Sequence, residues 1–142
     1  MNDIIRVVIV DDHPMFRESI AHLLEIETDM VLMGQGATAE DAVRLTRDLG
    51  PDILLLDISM PGGGLNSAQI VNTDYPKTKV IMLTGSADED HIERALQAGA
   101  RAYVLKGISG RDLLRVIRRI SAGRTYLAPV KPRGRKMNGQ EL

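Results

Sequence analysis

The chain has 142 residues and a net charge of −1, with 44 % hydrophobic and 3 % aromatic residues, which indicates one globular domain with an aliphatic core. The lack of cysteine excludes disulfides and thiolate metal sites, and no apolar run approaches the roughly 18 residues that a membrane span needs. The N-terminus lacks the basic start and long apolar stretch of a signal peptide, so the sequence predicts a cytoplasmic protein without membrane contact.

The first half of the chain alternates apolar runs with segments of helical periodicity. Strands are predicted at residues 4–10, 30–33 and 53–56, and the helices between them at 14–27 and 38–49. Pro14 suits the first turn of a helix, and Thr38 with Asp41 forms a capping box. The third strand has no polar alternation and runs directly into Asp57, which is typical of a strand buried on both faces.

The second half continues the alternation. Strands are predicted at residues 80–83 and 102–105, and helices from near residue 65 or 66, from 86 to 98 and from 109 to 120. The helix near residue 65 consists largely of poor helix formers. Ser86 with Glu89 and Ser109 with Asp112 form capping boxes that open the other two.

Positive charge concentrates in the C-terminal third of the chain. Arginines recur through the last predicted helix, and from Pro129 the composition shifts to proline, glycine and basic residues without periodicity. This pattern predicts a linker or tail with solvated charges. Weak contact of the tail with nucleic-acid phosphates is the alternative.

Five strands alternating with five helices predict an α/β fold in which a parallel sheet carries helices on both faces. The carboxyl ends of parallel strands lie at one edge, where such sheets bind ligands. Polar residues stand at these ends: Asp11 and Asp12 after the first strand, Asp57 after the third, Thr84 after the fourth and Lys106 after the fifth. A single aspartate there is as readily a cap or turn residue, but the repeated coincidence indicates a shared site.

The three carboxylates at this edge repel one another, so the cluster predicts a bound cation. Oxygen ligands favour a hard ion such as Mg²⁺. Asp57, at the centre, can act as a nucleophile and form an aspartyl phosphate. Lys106 and the ion would neutralise charge on the phosphoryl oxygens during transfer.

Over residues 4 to about 123 the chain resembles the response regulator receiver domain of bacterial two-component systems. The resemblance rests on the acidic pair Asp11-Asp12, the turn from Asp57 to Pro61, Thr84, and the run from Tyr103 to Lys106. It implies a flavodoxin-like, doubly wound sheet of five parallel strands in the order 2-1-3-4-5. It also implies a receiver domain at residues 1–123, followed by a linker or tail at 124–142.

The resemblance assigns roles to the acidic residues. Asp57 would receive a phosphoryl group from a sensor histidine kinase. Asp12, Asp57 and the backbone carbonyl of Ser59 would bind Mg²⁺, with Asp11 helping through water. The domain would catalyse only its own phosphotransfer and dephosphorylation, and so would not be an enzyme in the ordinary sense.

The same resemblance implies a conformational switch. Thr84 would hydrogen-bond the phosphoryl group and draw its loop inward, while Tyr103 would turn from exposed to buried. The signal would leave through the face made by the fourth helix, the fifth strand and the fifth helix, through formation of a homodimer.

The segments around Lys106-Gly107 and from Gly123 to Leu127 resemble the NarL/FixJ subfamily, in which a LuxR-type helix-turn-helix follows the receiver. DNA binding and transcriptional control would then belong to a C-terminal domain that is missing here. A fragment of a transcription factor and a natural single-domain regulator both stay open.

Three other functions would place different demands on the same residues. A Mg²⁺-dependent phosphohydrolase needs a second acid two residues after its nucleophile, where Ser59 stands. A flavin carrier needs a phosphate-binding loop after the first strand, where Asp11-Asp12 would repel it. An adaptor that is never phosphorylated is disfavoured because each expected site residue is present.

The histidines and the glycine run are expected to have structural roles. His13, His22 and His91 lack ligand spacing and are assigned to surface or cap positions. The run Gly62-Gly63-Gly64 is not a nucleotide-binding loop, because the lysine and hydroxyl residue of such a loop do not follow it.

Overall fold

A computed structural model describes residues 3–85, 89–124 and 126–127. The strands are β1 (Ile5–Val10), β2 (Met30–Gly36), β3 (Ile53–Asp57), β4 (Lys79–Thr84), β5 (Ala102–Leu105) and β6 (Tyr126–Leu127). The helices are α1 (Pro14–Glu25), α2 (Ala39–Leu49), α3 (Gly64–Asp74), α4 (Glu89–Gln97) and α5 (Gly110–Ser121). Every predicted strand and helix is present, although α1 ends two residues early and β2 continues to Gly36.

The strands form one parallel sheet in the order β2-β1-β3-β4-β5-β6. The order of the first five confirms the predicted flavodoxin-like topology. The sixth strand was not predicted, because Tyr126 and Leu127 lie in the segment assigned to the linker. They pair with Ala102 and Tyr103 of β5, so the sheet continues past residue 123.

The sheet divides the core into two apolar layers. β3 is buried along its whole length because it lies inside the sheet and helices cover both faces. Alternate β3 residues serve the two layers: Ile53 and Leu55 pack with α1 and α5, whereas Leu54 and Leu56 pack with α2, α3 and α4. As the composition predicted, aliphatic side chains fill most of this core, and Tyr103 is an aromatic exception.

Helix ends follow the sequence signals where the structure describes them. The Thr38 hydroxyl accepts a hydrogen bond from the Asp41 N–H, and the Ser109 hydroxyl accepts one from the Asp112 N–H, each at 3.1 Å. The predicted cap at Ser86 lies outside the described residues. α5 buries its apolar face and exposes its arginines, as predicted. No helix in the described ranges is long and apolar enough to span a bilayer.

The glycine run Gly62–Gly64 lets the chain turn sharply between Asp57 and α3. Gly62 and Gly63 have φ values of 91° and 90°, which residues with a Cβ atom rarely adopt. Gly64 begins α3, just before the start predicted near Leu65 or Asn66, and lies directly against the end of β3. A Cβ atom on Gly64 would overlap the carbonyl oxygen of Asp57 and lie 2.8 Å from Ile58 Cα. The run therefore sets how closely α3 approaches the acidic edge.

Gly64→Ala should lower the free energy of unfolding by about 1–3 kcal/mol, because the added methyl group must push backbone atoms aside. Gly107→Ala is the matched control, since a Cβ atom there meets nothing within 4 Å. We expect it to be neutral or slightly stabilising. Urea unfolding of both variants checks this, and equal midpoints for the two would contradict the close approach at Gly64.

Candidate functional site

The carboxyl ends of the central strands bring the predicted acidic residues together. β1 and β3 are paired neighbours, so Asp11, which directly follows β1, lies beside Asp57, which ends β3. Carboxylate oxygens of Asp11, Asp12 and Asp57 and a ring nitrogen of His13 all lie within 4.8 Å of one another. The predicted gathering of the three acids is confirmed, and a histidine has joined it.

Asp11 is fully buried and well provided with partners. Its Oδ1 accepts a hydrogen bond from the His13 N–H at 2.8 Å, and its Oδ2 forms an ion pair with Lys106 Nζ at 2.6 Å. Burial alone would raise the pKa of Asp11, but the hydrogen bonds from Lys106 and His13 outweigh it and hold the pKa below its ordinary value. Asp11 is therefore ionised and paired with Lys106.

Asp57 is equally buried but poorly provided with partners. Its Oδ1 accepts weak hydrogen bonds from the Ser59 N–H at 3.2 Å and the Ser59 hydroxyl at 3.3 Å. Its Oδ2 accepts no hydrogen bond from the part of the chain that the structure describes. Burial raises the pKa of Asp57, and the negative charges of Asp11 and Asp12 raise it further against the opposing effects of Ser59 and Lys106.

Lys106 is the cation of this edge. Besides the pair with Asp11, its Nζ lies 3.5 Å from Asp57 Oδ2 and 5.0 Å from the centroid of the Phe16 ring. Its backbone N–H donates to the Thr84 carbonyl oxygen at 2.7 Å, which fixes the residue at the end of β5. The ammonium group thus lies between two buried carboxylates, and a cation–π contact holds it from the side of α1.

His13 is the member of the cluster that the sequence interpretation missed. It does precede α1 as a cap residue, as assigned, but its ring also contacts the acids: Nδ1 lies 2.7 Å from Asp11 Oδ1 and 3.2 Å from Asp12 Oδ1. The signal that could have revealed it is its position directly after the acidic pair at a strand end. Spacing rules for metal ligands do not cover three consecutive residues.

The remaining predicted residues lie around the cluster. Thr84 is 3 % exposed at the end of β4, joined through its carbonyl to the backbone of Lys106. Ser59 contacts Asp57 with both its N–H and its hydroxyl. Tyr103 does not belong to the acidic cluster: it is fully buried in the layer that contains α2, α3 and α4.

The donor set fits a hard divalent cation. Three carboxylates face one ammonium group in this cluster, which leaves an excess of negative charge. The buried Asp57 carboxylate accepts only weak hydrogen bonds from Ser59 among the described residues, and a cation is a natural further partner for such a group. Asp12 is half-exposed at the rim, so a hydrated ion can reach it from solvent.

A family model described as the response regulator receiver domain matches residues 7–118. The chain belongs to the response regulator receiver domain family. Receiver domains are parts of two-component response regulators, with a phosphorylation-dependent signalling role, and they are not enzymes of the ordinary kind.

Relatives and solved structures agree with this membership. The chain is 34 % identical to the response regulator protein VraR of Staphylococcus aureus, over 97 % of this chain and 68 % of that protein. A LuxR-family two-component response regulator from Aurantimonas superposes with a TM-score of 0.84 at 30 % identity, over 89 % of this chain and 91 % of that one. The receiver domain of the response regulator NarL from Mycobacterium tuberculosis superposes with a TM-score of 0.83 at 29 % identity, over 86 % of this chain and 99 % of that one.

Asp57→Asn and Asp11→Asn should change stability in opposite directions. The raised pKa of Asp57 means that this residue stabilises the fold when protonated and that the contribution is lost as the pH rises through that pKa. At pH 7 without metal, Asp57→Asn should therefore raise the free energy of unfolding, and the gain should vanish below about pH 3.

Substitution of Asp11 should change the free energy of unfolding in the opposite direction. Its lowered pKa provides stability that is present at neutral pH and lost as the pH falls through that pKa. Asp11→Asn should cost about 1–3 kcal/mol at pH 7, because it leaves Lys106 without its main partner. Denaturant unfolding with a chelator present, repeated across pH, measures both variants. A loss of stability in both at pH 7 would contradict the assignment for Asp57.

Proposed function

We propose that this receiver domain accepts a phosphoryl group on Asp57 from a sensor histidine kinase and passes the signal on by changing its own conformation and association. The observation that carries the proposal is the free Oδ2 of Asp57, buried between the β1 and β4 ends and 3.5 Å from Lys106 Nζ. That oxygen is a nucleophile with no competing hydrogen bond from the described residues.

The transfer begins with a phosphohistidine of the kinase. Oδ2 of Asp57 attacks the phosphorus, an O–P bond forms as the N–P bond breaks, and the electron pair of that bond returns to the imidazole nitrogen. Lys106 stabilises the negative charge that develops on the phosphoryl oxygens, and it remains ion-paired with Asp11 during the transfer. Ser59 holds Oδ1 so that Oδ2 is the attacking atom.

Asp12, Asp57 and the Ser59 carbonyl are proposed to hold Mg²⁺, with Asp11 acting through water. When bound, the ion neutralises negative charge on the transferring group and aligns it for attack. Asp12 contributes from the rim, where its side chain is 36 % exposed and free to adjust. The domain would use this site only on itself, for phosphotransfer and for later loss of the phosphoryl group.

Thr84 and Lys106 are proposed to couple phosphorylation to the switch. Moving a two-state equilibrium from 1:99 to 99:1 takes about 5.5 kcal/mol, and one hydrogen bond to a charged group supplies about 1.5–3 kcal/mol. Thr84 alone is therefore not enough. The backbone bond between Thr84 and Lys106 lets both contacts act together on β5, which also carries Tyr103.

The output is proposed to leave through α4, β5 and α5 by formation of a homodimer. Residues 1–123 would be the receiver, and residues 124–142 would lead towards a LuxR-type DNA-binding domain that controls transcription. The similarity to LuxR-family regulators supports that arrangement. A phosphohydrolase is the poorer explanation, because Ser59, two residues after Asp57, donates hydrogen bonds and supplies no second acid.

Treatment with a small phosphodonor and Mg²⁺ should add one phosphoryl group, detected by mass spectrometry of the intact chain. Asp57→Asn should abolish the addition, since it removes the nucleophile. Asp74→Asn, at the exposed end of α3, is the control for incidental labelling and should leave the addition unchanged. Labelling that persists in Asp57→Asn would refute the assignment of Asp57.

Phosphorylation should also strengthen self-association, measured by sedimentation. Arg115→Glu on α5 should weaken the dimer at least severalfold, because it reverses a charge on the proposed interface. Arg44→Glu on α2 is matched to it, since each arginine is exposed and pairs with the aspartate three residues before it. Equal mass with and without phosphorylation would reject dimerisation as the output, and equal loss in both variants would reject this face.

A further inference from the structure

The position of the His13 ring is not explained by the helix that it precedes. His13 stands directly before α1, but its side chain makes no capping hydrogen bond within the described part of the chain. The ring lies instead against the acidic edge, where Nδ1 is 2.7 Å from Asp11 Oδ1, 3.2 Å from Asp12 Oδ1 and 3.8 Å from Asp57 Oδ2. The carboxylates therefore account for its place.

The ring nitrogen that faces these oxygens is a hydrogen-bond donor. Asp11 is ionised, and an ionised carboxylate only accepts hydrogen bonds, so the 2.7 Å contact requires a hydrogen on Nδ1. Lys106 Nζ donates to Oδ2 of the same carboxylate at 2.6 Å. One carboxylate thus holds both nitrogens, which brings Nζ to 3.0 Å from Nδ1.

A hydrogen on Nδ1 and a divalent cation would compete for the same oxygens. An ion about 2.1 Å from Asp12 Oδ1 would lie within about 5.3 Å of Nδ1, because that oxygen is 3.2 Å from the ring nitrogen. There it would meet the positive end of the N–H dipole beside the ammonium group of Lys106, an arrangement that Coulomb repulsion opposes. The ring contact and cation binding therefore disfavour each other.

The ring can leave this place without disturbing the backbone. The His13 side chain is 61 % exposed, so rotation about its side-chain bonds can carry the ring into solvent. The backbone N–H of His13 donates to Asp11 Oδ1 at 2.8 Å, and this bond does not depend on the ring. Asp11 also keeps its ion pair with Lys106, so departure of the ring does not leave a buried anion without a partner.

We propose that the His13 ring competes with the divalent cation for the acidic edge and thereby lowers its affinity for Mg²⁺. The inference rests on the proposed function, because the ion is the one proposed to assist phosphorylation of Asp57. The Nδ1–H group stabilises the carboxylates of Asp11 and Asp12, and Mg²⁺ must displace it in order to bind. His13 is thus an intramolecular competitor that sets the Mg²⁺ concentration at which the site fills.

Titration calorimetry with Mg²⁺ at pH 8 measures this competition on the intact chain. His13→Ala should tighten Mg²⁺ binding about threefold to tenfold, the range expected when one hydrogen bond no longer has to be broken. His13→Asn should bind Mg²⁺ about as the unmodified chain does, because the asparagine amide supplies an N–H donor in its place. His22→Ala is the control and should change nothing, since it removes an exposed histidine that lies near Glu25 instead.

Urea unfolding separates competition from a general loss of stability. With a chelator present, His13→Ala should unfold at a lower urea concentration than the unmodified chain, since two carboxylates lose a donor. At saturating Mg²⁺ the difference should disappear, because the ring is displaced in the unmodified chain as well. A purely structural role for the ring would instead lower the midpoint equally in both conditions, and that result would contradict the inference.

Nitrogen NMR of the histidine rings detects the displacement directly. In a chain labelled with ¹⁵N-histidine, His13 should carry its hydrogen on Nδ1 when a chelator is present. Addition of Mg²⁺ should abolish that preference, while the His22 signals stay unchanged. His13→Ala assigns the signals, because those of His13 are then missing.

The remaining outcomes separate the inference from its foundation. Unchanged or weaker Mg²⁺ binding by His13→Ala, or a His13 ring signal that Mg²⁺ does not alter, would overturn the inference. Labelling of Asp57 by a phosphodonor with Mg²⁺ would persist in those cases, so the proposed function would survive. If the unmodified chain neither bound Mg²⁺ nor accepted a phosphoryl group, the proposed function would fail and the inference with it.

Discussion

The ion pair between Lys106 Nζ and Asp11 Oδ2 is the contact on which the acidic edge depends. Three carboxylates gather at the ends of two neighbouring strands, and their mutual repulsion would oppose folding if nothing offset it. Lys106 satisfies Asp11 at 2.6 Å but lies 3.5 Å from Asp57. The two buried acids consequently differ in pKa, one lowered and one raised, although they lie side by side. Environment alone divides them into a fixed anion and a reactive one.

Much of this arrangement could be predicted because buried strands have a clear sequence pattern. The unbroken apolar run before Asp57 indicated a central strand, and parallel strands necessarily bring their carboxyl ends to one edge. That geometry placed Asp11, Asp12 and Asp57 on one edge, but their close approach also required β1 and β3 to be neighbours. The order of the strands did not follow from periodicity, since several orders bury the same residues, and it came from the resemblance to receiver domains.

The features that escaped prediction depend on contacts between distant parts of the chain. His13 occupies a helix cap, which is a sufficient explanation for it until the ring is seen beside Asp57 on another strand. Tyr126 and Leu127 form too short a strand to show a pattern, and only the exposed edge of β5 gives them a partner. Helix α3, predicted to begin near Leu65 or Asn66, begins at Gly64, and the close approach of Gly64 to the Asp57 backbone depends on tertiary packing that the sequence pattern does not show.

The pairing of β6 with β5 has a mechanical consequence. Leu127 is paired with Tyr103, so β6 is hydrogen-bonded to the strand that carries the proposed switch residue. If β5 tilts in the proposed switch, the hydrogen bonds between the two strands would make β6 tilt with it.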